Sequence, residues 1–484
     1  MRLSTRTVSE LSPEVRRPAI DRGSLSPAVL HFGVGNFHRS HQAVYFEEAM
    51  ERTGTSEWGI CGVGILPADR ALQSALGEQD GLYALVEKSD ERRSVRVVGS
   101  VARLLFAPNK PEVVFEALAG AEVRLVTLTI TEGGYCARGT TGLDFSHPDI
   151  QHDLIRRWRP KTVYGYLAEG MDRRRLRGLP PVPVLSCDNV PDNGVVVRRA
   201  LGDFCRARSA ELGRWLEDYG CFPSAMVDRI TPAATPEDRR RLLSEHGIDD
   251  PCLVVCEPFR QWVLEDCFEK ARPPLDEAGV HFARDVRPYQ ETKIRLLNAG
   301  HSAMGYLGYL AGYRFVHEVA DAPEFRGYLA GLLDDEVSPL LHSLPGLSLD
   351  AYKASLWTRF ANRALVDPLL RICADGSAKI PKFVLPSIRD ELARSGPIRN
   401  LSLCVASFLR FLEGTDERGD PIPIVDPGAG RLVEAVHAGG GDARPALGVE
   451  EIFGELGRSE RFVNEVSSLL RALRERGTRA VLAA

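Results

Sequence analysis

Lys293, Asn298 and His301 stand in the run Lys293-Ile-Arg-Leu-Leu-Asn-Ala-Gly-His301, and their types suit the movement of a proton and the holding of a polar substrate. If the run is helical, at about 100° per residue, His301 falls roughly 80° and Asn298 roughly 140° around the axis from Lys293. The three polar groups can then share one face. The stretch beyond, through Met304, Tyr306, Leu307 and Leu310, is apolar, so that face is expected to open into a half-buried cleft. Burial disfavours a charged amine and moves its pKa toward neutrality, which makes a lysine there a proton acceptor. The competing reading is a core helix whose lysine snorkels to water while the asparagine and histidine only satisfy hydrogen bonds.

A second set of residues lies near the start of the chain. The strand-like run Val29-Leu-His-Phe-Gly-Val34 leads into Gly33-Val-Gly35-Asn-Phe-His38, followed by a helical stretch from Gln42 to Arg52. Gly33 and Gly35 let the backbone approach a pyrophosphate, and Asn36 and Phe37 open onto a helix start whose free N–H groups favour an anion. Strand, glycine turn, helix and second strand follow in the order a dinucleotide-binding unit requires. His38 stands where the usual third glycine would be. Asp69 follows the second strand, Gly59-Ile-Cys-Gly-Val63, and has two readings. It is either a carboxylate that accepts the adenosine ribose hydroxyls and repels a 2′-phosphate, or the N-cap of the helical stretch from Ala68 to Leu76. The first reading favours NAD, while the adjacent Arg70 could pair with a phosphate and leaves NADP open.

Positioning these groups requires a layered fold. From Pro27 to about Cys256, β-rich runs (Val29–Val34, Gly59–Val63, Val95–Val98, Val123–Ile130, Pro183–Ser186, Leu253–Val255) alternate with helical stretches at Gln42–Arg52, Ala68–Leu76, Val195–Leu216 and Pro236–Glu245. That alternation predicts a doubly wound α/β domain with a mostly parallel sheet. After Pro288 the helical period dominates, at Glu291–Leu310, Ala322–Leu333, Leu349–Phe360, Pro386–Ala393, Leu401–Leu412 and Ser459–Arg476. The expected organisation is a Rossmann-like domain over residues 1–287 and a mainly α-helical domain over 288–484.

Composition narrows the partners. The 484 residues carry a net charge of -5 with 44% apolar and 26% charged residues, which gives no electrostatic case for nucleic acid or an anionic membrane. No segment reads as a signal peptide or a membrane span, and a cytoplasmic protein acting on small molecules is expected. The ten cysteines form no CxxC pair and read as reduced thiols. His38-Arg-Ser-His41 has a metal-like spacing, but no neighbouring Cys or carboxylate pair completes a ligand set, so no metal is expected.

Seven strings run in order through nearly the whole chain: His31–Gln42, Thr129–Tyr135, Ser186–Pro191, Met226–Pro232, Cys256–Phe259, Lys293–His301 and Asp375–Lys382. Through them the sequence resembles the mannitol dehydrogenase family of polyol-specific long-chain dehydrogenases. The resemblance implies a metal-independent, NAD(P)-dependent interconversion of a secondary alcohol and a ketone, with D-mannitol and D-fructose as the first expectation. It implies Lys293 as general acid/base, Asn189 and Asn298 as the groups that polarise the reacting oxygen, His301 as an orienting group, and Glu132 as an aid to proton movement. Arg371, Lys379 and Asp228 match substrate-side positions, although Asp228 also suits a structural part, and Asp69 matches the adenosine-side carboxylate. Departures accompany the match: Gln290 stands where relatives carry a carboxylate before the lysine, and Asn298-Ala-Gly-His301 replaces the common Asn-Gly-Ser-His. Reduction of fructuronate to mannonate is the alternative within the family, and a noncatalytic NAD sensor is the alternative outside it. Oligomeric state is not legible from the sequence.

Overall fold

The computed structural model describes residues 1–138, 142–268, 272–342, 344 and 348–484. The chain forms two compact units, Met1–Arg287 and Pro288–Ala484.

In the first unit, β1 (Val29–Phe32), β2 (Ile60–Gly64), β3 (Val101–Phe106), β4 (Leu125–Leu128) and β5 (Val184–Ser186) form a fully parallel sheet in the order β5-β4-β1-β2-β3. This 3-2-1-4-5 order is that of a Rossmann sheet. Residues of β1 alternate between two cores. Leu30 and Phe32 pack with Val63, Val126 and Leu128 on one face, while Val29 packs with Ile60, Leu125 and Leu185 on the other. A strand covered on both faces reads as an unbroken apolar run, which is why β1, β2 and β4 were visible in the sequence.

The α/β reading holds, with corrections to its details. The remaining strands do not join the parallel sheet. Val15–Arg16, Arg93–Val98, Tyr83–Lys88 and Val254–Cys256 form a mixed four-stranded sheet, and Ala225–Asp228, Gln261–Glu265 and His281–Ala283 a mixed three-stranded one. The stretch expected as one helix from Val195 to Leu216 is two, Asn193–Arg208 and Ala210–Tyr219. Ser209 is extended (φ -160°) and its side chain caps the second helix through the Leu212 N–H. By contrast, Thr235-Pro236 opens its helix with a full capping box to Asp238, as Pro at the first position and an acceptor before it favour.

The second unit is helical, and its apolar residues share one core. At its centre, Ala299–Leu310 is buried on every side except at His301. The uniform α-helix expected through Lys293 and His301 is not what forms. An α-helix, Arg287–Lys293, passes into a π-helical stretch, Ile294–Asn298, before α-winding resumes at Ala299. The Ala299 N–H reaches back to the Ile294 carbonyl, the i→i+5 bond of a wider turn.

Candidate active site

The residues proposed for cofactor contact gather at the carboxyl ends of adjacent parallel strands in the first unit, the edge where open α/β sheets bind ligands. Beyond β1, Gly33 has φ 92°, and a Cβ there would lie 1.9 Å from the Thr129 carbonyl oxygen; no other residue type fits. Its own carbonyl accepts from Thr129 Oγ1 at 2.6 Å, and His31 Nε2 lies 2.9 Å from it. Gly35 differs. A Cβ there would meet only the Gly33 oxygen, at 3.9 Å, so the fold leaves the space above Gly35 open. That open cradle at a helix start fits a pyrophosphate. Asn36 and Phe37 begin the following helix, Asn36–Ser40, and the Asn36 side chain is held by Arg39 at 2.7 Å.

Beneath the turn lies a buried histidine cluster. His31 stacks on His38 with centroids 3.4 Å apart, and His41 Nε2 bonds the Gln261 carbonyl at 2.9 Å. The His38/His41 pair is thus occupied by packing and by a backbone bond, and no group of three or more His, Cys, Asp or Glu side chains able to hold a metal gathers among the described residues. Burial lowers both His31 and His41 from 6.5 to about 3. Each is neutral when folded and takes up a proton only on unfolding, so its contribution to stability is complete above about pH 6.5 and is lost as pH falls toward 3. The slope is at most about 1.4 kcal/mol per pH unit for each ring. Urea midpoints measured between pH 7.5 and 5 should therefore fall less steeply for His31→Gln than for the unaltered chain; identical slopes would remove His31 from this linkage.

Asp69 begins the helix Asp69–Glu78 beyond β2 but does not cap it. The capping alternative is corrected: Oδ2 instead accepts the N–H groups of Ile65 and Leu66 at 3.0 and 2.9 Å, which fixes the carboxylate at the strand end. Arg70 lies over the Phe106 ring, 5.5 Å from its centroid. Asp69→Asn keeps an oxygen for both N–H groups and removes the charge. It should lower discrimination against NADP about tenfold or more, since a like-charge contact is lost; an unchanged NAD/NADP ratio would leave Asp69 with a structural part only.

Glu132 and Asn189 follow β4 and β5, and a residue given no role in the sequence reading ties their loops together. Asp188 accepts the N–H groups of Ile130 and Thr131 at 3.0 and 2.9 Å and the Tyr135 hydroxyl at 2.8 Å. Burial pushes its carboxyl up to about 6, against those hydrogen bonds, which favour the charged form. Thr131 is held at φ 60°, ψ 169°, a conformation that costs on the order of 1–3 kcal/mol in a residue with a Cβ. The exposed Glu132 follows directly. Asn193 extends the tie, donating to the Asp188 carbonyl at 3.1 Å and to the Ala225 carbonyl at 2.8 Å. Ala225 opens the strand that ends in the buried Asp228.

In the second unit, Lys293 is buried at the end of its α-helix. Asn298 Oδ1 and His301 Nε2 are both buried without a hydrogen-bond partner among the described residues. An unsatisfied buried polar atom costs about 1–3 kcal/mol, so two so close in sequence mark a place shaped for a polar guest. Burial, then the charges of Arg371, Arg359, Lys379 and Lys293, hold the His301 ring well below its ordinary pKa. Four cations therefore gather around a neutral imidazole, whose ring also lies 4.9 Å from that of Phe360. Arg359, buried in the last turn of Leu349–Phe360, was missed in the sequence because an Arg at a helix end usually faces solvent. Arg371 is clasped by Asp367 at 2.6 and 2.5 Å, and Lys379 Nζ donates to the Ile372 carbonyl at 3.1 Å. Gln290 is buried on the same helix as Lys293.

A parallel sheet in 3-2-1-4-5 order with a glycine turn at its first strand, in a chain whose other unit carries a buried lysine beside unsatisfied polar atoms, defines a Rossmann-type protein with a second, helical unit. The chain belongs to the mannitol dehydrogenase family: residues 27–277 match the mannitol dehydrogenase Rossmann domain and residues 285–474 the mannitol dehydrogenase C-terminal domain. It is 40% identical to mannitol 2-dehydrogenase of Aspergillus fumigatus, over 97% of this chain and 96% of that one, and 40% identical to that of Pyricularia oryzae, over 99% and 98%. Among solved structures, the Pseudomonas fluorescens mannitol 2-dehydrogenase ternary complex with NAD and D-mannitol is 43% identical with a TM-score of 0.94, covering 100% of this chain and 99% of that one. A substrate-free D-sorbitol dehydrogenase is 36% identical with a TM-score of 0.89, covering 100% of both. No helix among the described residues is long and apolar enough to cross a membrane.

Proposed function

We propose that this chain is an NAD-dependent polyol 2-dehydrogenase that interconverts D-mannitol and D-fructose, acting in the cytoplasm without a metal. The observation that carries this reading is the full-length likeness, at 43% identity, to an enzyme solved with NAD and D-mannitol. The open cradle above Gly35 and the unsatisfied atoms at Asn298 and His301 support it.

Oxidation requires the hydroxyl proton to leave as a hydride leaves the same carbon. Bound NAD supplies the hydride acceptor. Lys293, as the neutral amine, takes the hydroxyl proton. Asn189 and Asn298 donate to the oxygen as it gains negative charge; a half-turn of the Asn298 amide presents Nδ2 where Oδ1 now lies unsatisfied. His301 orients the substrate as a neutral ring through Nε2, and Lys379 and Arg371 bond more distant hydroxyls. Glu132 relays the proton onward, Asp69 receives the adenosine ribose, and Asp228 supports the substrate side. Because the Arg371 fork is already engaged by Asp367, it is less suited to clasp a carboxylate, which favours a neutral polyol over a hexuronate.

A panel of hexitols, pentitols, ketoses and hexuronates, each tested with NAD(H) and NADP(H), checks the proposal. D-mannitol and D-fructose with NAD(H) should give the highest kcat/KM; robust fructuronate reduction with negligible fructose activity would overturn the substrate. A second reading, D-sorbitol as the preferred polyol, draws on the likeness to D-sorbitol dehydrogenase and predicts preference for the opposite configuration at C2. No turnover with any polyol would favour a sensor. Activity should also survive exhaustive chelation, and a stoichiometric metal whose removal and return switches turnover off and on would refute the metal-free mechanism.

A further inference from the structure

Ten cysteines that look scattered in the sequence include two that the fold brings together. Cys221 lies between the helix Ala210–Tyr219 and the strand Ala225–Asp228, and Cys267 follows the strand Gln261–Glu265. These strands pair antiparallel, with Ala225 opposite Leu264, and the Glu265 N–H to Ser224 carbonyl bond of 2.9 Å carries the ladder toward both thiols. The two Sγ atoms are 3.2 Å apart, and Cys221 Sγ is 3.3 Å from the Cys267 carbonyl oxygen. Cys267 is exposed and Cys221 partly so, whereas seven of the other eight are buried. Burial pushes the thiols of Cys61, Cys252 and Cys256 up to about 12, but the hydrogen bond from Cys221 holds the Cys267 thiol below its ordinary value. The accessible sulfur is thus also the one inclined to ionise, the combination that makes a thiol react.

We propose that Cys221 and Cys267 are a reversible thiol–disulfide modification site, oxidised by low-molecular-weight disulfides. Cys267 gives its proton to solvent and attacks one sulfur of the small disulfide, whose S–S bond breaks and releases one small thiolate. Cys221 then gives up its proton and attacks Cys267 Sγ, breaking the mixed disulfide and releasing the second small thiolate. The protein loses two electrons and two protons, and one small disulfide becomes two thiols. The sulfurs need to close by about 1.2 Å from 3.2 Å to reach bonding distance. The bond would staple the end of the ladder whose far end carries Asp228, and would constrain the unfolded chain between the two cysteines.

The test uses the full chain incubated with glutathione disulfide, followed by alkylation of free thiols and peptide mapping. A peptide pair linked through Cys221 and Cys267, with the loss of two hydrogens, reversal by dithiothreitol and a higher melting temperature in the oxidised form, is the expected result. In Cys221→Ser the reaction should stop at a glutathione adduct on Cys267. A lasting adduct on Cys267 in the unaltered chain, or alkylation of both thiols with no linked peptide, would overturn the proposal.

Discussion

Lys293→Ala should lower turnover about 10²-fold or more while leaving NAD affinity nearly unchanged, because a positioned acid/base is lost and the dinucleotide-contacting groups proposed above all belong to the other unit. The pH profile makes the test sharper. Polyol oxidation needs the unprotonated amine and ketose reduction the ammonium, so the first should rise with pH and the second fall. His301 cannot supply that ionisation in the neutral range: burial and four surrounding cations hold its ring well below the usual value. The sequence alone left the titration shared between Lys293, His301 and Glu132, and the structure removes His301 from that set. The pH dependence should vanish in the lysine variant, and near-normal turnover with the same profile would end the assignment.

The second large effect concerns the amides. Removing one preorganised donor to a developing oxyanion typically costs on the order of 10² to 10³ in turnover, and Asn298→Ala is expected to fall in that range. Asn298 Oδ1 has no partner to lose among the described residues, so the variant should fold with little penalty. A thermal midpoint close to that of the unaltered chain together with a large fall in kcat separates a catalytic from a structural role. If Asn189→Ala acts on the same oxygen, the double variant should lose less than the product of the single losses. Independent, multiplicative losses would place the two amides on different parts of the reaction.

The reach of the sequence followed the locality of the physics. β1 was legible because burial on both faces writes an apolar run into four consecutive residues, and Gly33 because a backbone clash admits one residue type. Thr131 was not: its left-handed backbone depends on Asp188, 57 residues away, and no short-range pattern encodes that bond. Arg359 and Arg371 belong to different helices from His301, so the electropositive surround of the imidazole appears only once those helices pack. Asp69 was seen as a functional or a capping carboxylate, yet its bonds go backward to Ile65 and Leu66, a turn that neither reading anticipated.

The π-helical stretch Ile294–Asn298 has a bearing on how this helix tolerates insertions and deletions. A wide turn holds one residue more than the α-winding on either side, so it acts as a phase shift between Lys293 before it and His301 after it. Deleting a single residue there would let the segment relax into continuous α-helix, and everything beyond would turn by about 100° relative to the lysine. Point substitutions within the stretch preserve that phase; a one-residue deletion resets it. Length is therefore the more tightly constrained property of this segment, and a library that varies composition but holds the residue count fixed will explore the site without dismantling it.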